Sequence, residues 1–86
     1  SFLGSITYGA TESSAIENFE KAQKLLPDMA IVYNEFSVGL IRLDEDDFRK
    51  DIRQLLNTCM AIEPVNAEDA LNQMHCQRAL KSLNKD

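Results

Sequence analysis

A histidine and a cysteine stand side by side at His75-Cys76, a second cysteine occupies position 59, and acids run unbroken from Asp44 to Asp47. A thiol beside an imidazole suggests a nucleophile and its base, but consecutive helix residues point about 100° apart, so His75 and Cys76 do not converge on one substrate. A redox pair or a metal site with His75 would need further ligands at suitable spacing. Two cysteines also fall short of the disulfide framework of small secreted domains, and both lie among apolar neighbours, so they read as small core residues. A calcium loop requires alternating oxygen ligands and a glycine at its sixth position, where Arg49 stands instead. The acids read more simply as a helix start, favoured by the macrodipole. Glu17 with Lys21 and Glu20 with Lys24 are i, i+4 surface pairs, not general acids and bases. The expectation is therefore no enzyme: no catalytic residue, no cofactor and no metal.

The elements that position these residues are helical. The chain has 86 residues, 44% of them hydrophobic and 27% charged, with three glycines and two prolines. Long stretches of Ala, Leu, Glu, Lys, Gln and Arg lose little rotamer freedom in a helix. Residues 1–10 read as a helix end and a loop, since Gly4 and Gly9 flank β-branched Ile6 and Thr7. Thr11, Ser13 and Ser14 can each cap, and Ser14 to Glu17 fits a capping box, which predicts a helix beginning between 11 and 15 and ending by Pro27. Ala15, Ile16, Phe19, Ala22, Gln23 and Leu26 form its inward stripe. A second helix is expected from Met29 to Leu43, apolar around much of its circumference and so packed on more than one side; a strand over 38–43 is the less favoured reading. Phe48, Ile52, Leu55, Leu56, Cys59, Met60 and Ile62 mark a third, stopped at Pro64. Asn66 caps a fourth, over 66–83, with Asp69 in its first turn.

A net charge of −5 argues against a phosphate-tracking surface, so nucleic acid is not an expected partner. No apolar run reaches the roughly 18 to 20 residues that span a bilayer. The first residues lack the basic start and apolar centre of a signal peptide, and the chain opens without Met, as a piece of something longer would. The cytoplasm is accordingly placed ahead of the periplasm, unless an export signal lies upstream.

The chain also repeats itself. Ala15, Phe19, Ala22 and Pro27 are separated by four, three and five residues, and Ile52, Leu56, Cys59 and Pro64 by the same intervals, 37 positions later. A small residue admits a neighbouring helix, a large one fills the space a turn away, and proline closes the unit. Tyr33, Phe36, Ser37 and Leu40 stand between them. Together these residues resemble the tetratricopeptide repeat, whose unit is a helix hairpin of about 34 residues with an aromatic, leucine, glycine, tyrosine pattern in its first helix and an alanine, phenylalanine, alanine, proline pattern in its second. Asp44 to Asp47 would lengthen the turn by about three residues and account for the longer period.

The resemblance implies an all-α fold of antiparallel helix hairpins, an α-solenoid fragment of about four helices in one domain. Residues 11–27 would be the second helix of one repeat, 28–64 a full hairpin and 66–83 a closing helix, with Phe2-Leu3-Gly4 the remnant of a preceding helix. It implies a scaffold or interaction role with a protein or peptide as partner, and a longer array or a homo-oligomer, because isolated repeats bury too little surface. Such repeats bind along the first helix of each hairpin, so Ile31, Asn34, Val38, Ile41 and Arg42 are the candidate partner-binding face. The alternative is that Ile31, Val38 and Ile41 are core against a further repeat. Val38 breaks the lysine and asparagine carboxylate clamp of some family members, while Arg42 could pair with an acidic group. A looser likeness, carried by the segment around Ala15 to Ala22 and the stretch from Pro64 to Asp69, is to TatT-type components of periplasmic transporters, which would make the chain a ligand-binding accessory subunit.

Overall fold

The computed structural model describes residues 9–85. The expected loop around Gly4 and the Phe2-Leu3-Gly4 remnant fall outside them. Four helices follow in order, α1 (Ala10–Leu25), α2 (Ala30–Asp44), α3 (Arg49–Ala61) and α4 (Ala67–Asn84), and no strand occurs among the described residues. The 38–43 segment is thus interior helix.

The first helix begins earlier than its capping signals imply. Gly9 is the N-cap, extended at φ −68° and ψ 169°, and its carbonyl accepts from the Ser13 amide at 2.8 Å. Ser14 therefore lies a full turn inside the helix and the Ser14–Glu17 capping box does not form. Glu12, at the third helical position, folds back so far that a Cβ on Gly9 would meet its Oε2 at 2.5 Å. The carboxylate is thus held at the positive end of the helix dipole.

Side-chain contacts fix the direction of each helix. Phe19 stacks on Phe36 with ring centroids 5.1 Å apart, while the Tyr33 hydroxyl donates to the Pro27 carbonyl at 2.6 Å, so α1 and α2 are antiparallel. A Cβ on Gly39 would meet Phe19 Cε2 at 2.6 Å; the glycine lets the ring lie directly on the α2 backbone. A four-residue turn reverses α2 into α3. Arg49, at the start of α3, donates to the Leu83 carbonyl near the end of α4, and Gln73 of α4 reaches the Ile62 carbonyl at the end of α3, so these two are also antiparallel. The start of α2 meets the start of α4 through Ala30 and Asp69, and Asn34 meets Asn72, so α2 and α4 run parallel.

The core sits where α2, α3 and α4 meet. Tyr33, Phe36, Ser37 and Leu40 are buried on α2, opposite Ile52, Leu55, Leu56 and Cys59 on α3 and Cys76 and Leu83 on α4. Burying each large side chain is worth about 1.5–3 kcal/mol. The two self-matching segments face inward alike: Phe19 and Ala22 pack half-buried against the core, and Ile52, Leu56 and Cys59 lie fully within it.

Candidate functional site

The predicted face on α2 is divided by α4. Ile31 and Ile41 are half-buried and pack against the core, and Arg42 is exposed. Asn34 donates its Nδ2 to Asn72 Oδ1 at 3.1 Å, and Asn72 in turn donates to the Glu68 carbonyl at 2.9 Å. Asn34 and Val38 line a shallow groove of about 400 Å³, whose other wall is His75, Arg78, Ala79 and Ser82 of α4. The structure thus brings two of the five residues together and leaves Ile31, Ile41 and Arg42 outside the groove. His75 and Arg78 were not expected there, because their position depends on α4 lying parallel to α2, which no local pattern encodes.

A larger groove, about 710 Å³, opens at the end of the molecule where the α1–α2 and α3–α4 loops converge, between Met29, Ile62 and Val65 with Asp28, Glu63 and Asp69. Its frame is a set of polar bonds that cross between helices. The α2 N-cap, Met29, offers no side-chain acceptor, and the Ala30 amide is satisfied instead by Asp69 Oδ1 at 3.3 Å. The second carboxylate oxygen of Asp69 accepts from the Val65 amide at 3.2 Å, and the Asp69 amide donates to its own helix cap, Asn66, at 2.8 Å. Gln73 Nε2 donates to the Ile62 carbonyl at 2.6 Å and to that of Cys59 at 3.0 Å, which also accepts from the Ile62 amide at 3.4 Å, so one side chain ties off the end of α3. Asp69 is buried and spent on two amides, so it is a clamp for the loops.

Cys59 and Cys76 correct the reading of them as separate core thiols. They are buried, as expected, but joined in a disulfide that bridges α3 to α4 across a Cα–Cα distance of 6.5 Å. The physical reason is the antiparallel register: the bonds from Arg49 to Leu83 and from Gln73 to Ile62 set position 59 opposite position 76. The bridge lies against α2 as well, with Cys59 Sγ 3.7 Å from the Ala30 carbonyl oxygen. His75 is exposed on the next position of α4. Joined in the bridge, neither sulfur is a thiol.

The acidic tract spans the end of α2 and the following turn. Asp44 Oδ1 accepts from the Asp47 amide at 3.1 Å, and Arg49 pairs with Glu45 at 3.4 Å and Asp46 at 3.3 Å. The Asp44 charge, followed by desolvation, raises the Asp47 carboxyl above its ordinary value. Among the described residues no group of three or more His, Cys, Asp or Glu is placed to hold a metal ion, and no helix is long and apolar enough to cross a membrane.

No protein-family model matches the sequence, and no curated protein or solved structure matches it either.

Proposed function

We propose that the chain is a non-catalytic protein-interaction module of tetratricopeptide type, receiving a peptide along α2. The observation that carries this is the pairing of α2 with α4. On this reading they are the first helices of successive units, run parallel as such helices must, and leave between them a groove with Asn34 and Val38 on one wall and His75 and Arg78 on the other. The inward positions of Phe19 and Ala22 in α1, and of Leu56 and Cys59 in α3, support the same repeat. Arg78 in this groove favours a segment bearing a carboxylate, since a guanidinium offers paired donors to that group. The test is selection of peptides on the 86-residue chain, followed by titration against Val38→Glu. Acidic peptides that bind and lose at least tenfold affinity on that substitution, with the melting temperature unchanged, support the reading. Peptides indifferent to Val38→Glu, or none selected, refute it.

The disulfide favours a second reading, a ligand-binding accessory subunit of a periplasmic transporter. Disulfides persist in oxidising compartments and are rare where glutathione and thioredoxin keep thiols reduced. An export signal encoded upstream of Ser1 would support it, and a source protein isolated with two free thiols would overturn it.

A further inference from the structure

Eight large hydrophobic side chains are substantially exposed among the described residues, and seven of them fall into two sets. Met29 and Val65, 37% and 80% exposed, line the loop-end groove, and Leu25, Leu26 and Met60 stand in the chain just before its lining residues Pro27 and Ala61. Leu71 and Met74, 51% and 55% exposed, lie on the outer side of α4. Contiguous apolar surface of this kind marks interaction sites.

The two sets differ in charge. Asp28 and Glu63 line the groove, and no lysine or arginine does. On α4, the spacing 71, 74, 78, 81 places Leu71, Met74, Arg78 and Lys81 within one face, since steps of three and four return to the same side of a helix. All four are exposed. One surface is an apolar groove with an acidic rim, and the other is an apolar ridge followed by two cations.

We infer that this chain associates head to tail with a second copy of itself, the Leu71–Met74 ridge of one copy seated in the loop-end groove of the next, with Arg78 and Lys81 against Asp28 and Glu63. The groove is formed before anything binds. Asp69 holds both of its loops, Gln73 ties off the end of α3, and the Cys59–Cys76 bridge fixes α3 on α4, so docking orders little backbone. A side chain as exposed as Val65 stands proud of the groove and suits a macromolecular surface; a small ligand would be enclosed. The contact is heterologous, so an assembly ends with one copy whose groove is free and one whose ridge is free, and it grows with concentration. Arg78 also lines the α2–α4 groove, so the two surfaces share that side chain, while Leu71, Met74, Lys81 and the loop-end groove lie outside it.

Sedimentation or light scattering of the whole chain from micromolar to millimolar tests it. The weight-average mass is expected to climb above the 9.7 kDa monomer with concentration and to climb less at high salt, because exposed charges are screened. Asp28→Lys with Glu63→Lys gives a groove that repels the native ridge, and Arg78→Glu with Lys81→Glu gives a ridge that repels the native groove. Each variant alone should stay monomeric with an unchanged far-ultraviolet spectrum, and an equimolar mixture should associate again. A wild-type chain monomeric throughout, a charge variant that still assembles, or a mixture that fails to recover association would each overturn the inference.

Discussion

Breaking the Cys59–Cys76 bridge should cost the fold a large part of its stability. The bond joins residues separated by 17 positions, and a cross-link closing a loop of that length lowers the entropy of the unfolded chain by an amount worth about 3 kcal/mol at 25 °C. A chain of this size has a total of only about 4–13 kcal/mol. At about 4–8 °C per kcal/mol, the melting temperature should fall by about 12–24 °C on reduction. Reduction leaves both sulfurs inside the core, so it removes the constraint and little packing; Cys59→Ala with Cys76→Ala empties volume as well and should cost more. Because both residues are fully buried, reductant should act on the folded protein only through opening of the α3–α4 hairpin. Circular dichroism melts with and without reductant, with thiol counting by mass before each, measure all of this. Equal melting temperatures for the bridged and reduced forms, or two alkylatable thiols in air-oxidised folded protein, would refute the reasoning.

Three further outcomes follow from individual contacts. Asp69→Ala orphans the amides of Ala30 and Val65 and should cost about 2–4 kcal/mol in urea unfolding; a loss below about 0.5 kcal/mol would remove Asp69 as the clamp. Gly39→Ala should forgo the gain of about 1 kcal/mol typical of an exposed helix and destabilise by up to about 2 kcal/mol, because its Cβ would sit 2.6 Å from Phe19; in a Phe19→Leu background much of that penalty should vanish. Tyr33→Phe should lose about 0.5–1.5 kcal/mol at neutral pH with the bond to Pro27. Desolvation, then the Asp28 charge, raises the Tyr33 phenol above 10.0, so the fold favours its neutral form. That contribution is complete below pH 10 and is lost as pH climbs through the folded value. The gap between wild type and Tyr33→Phe should therefore narrow in alkali, and a gap constant from pH 7 to 12 would contradict the assignment.

The helices were legible because their inward residues carry a local period. Tyr33, Phe36, Ser37 and Leu40 recur at helical spacing and are all buried; Pro27 and Pro64 mark the stops of α1 and α3; Asn66 caps α4 as its position suggests. The apolar circumference of α2 likewise announced a helix packed on several sides, and it touches each of the other three. The polar face was harder to read. Asn34 and Val38 line a groove while Ile31 and Ile41 serve the core, a division set by where α4 lies. The disulfide was illegible for the same reason: each cysteine looks like a small core residue in its own helix, and only the register of α3 against α4 makes the two a pair.

The capping box at Ser14 and the cross-helix bonds of Asp69 and Gln73 are two sides of one physical fact. A helix end needs acceptors for its first amides and donors for its last carbonyls, but nothing requires that its own sequence supply them. Here α2 begins on a carboxylate from α4, α3 ends on an amide from α4, and α4 ends on Arg49, which donates to the Leu83 carbonyl, and on Arg53, which donates to Asn84 Oδ1, both from α3. Each such bond forms only after the partner helix has docked, so the start of α2 and the C-terminal ends of α3 and α4 are completed in the assembled hairpins, while α4 starts on its own Asn66. That coupling makes the three helices one cooperative unit. It leaves α1, which brings its own start at Gly9, joined to the rest by packing: Ile16 is buried in the core, and Phe19 lies on Phe36 and Gly39 of α2.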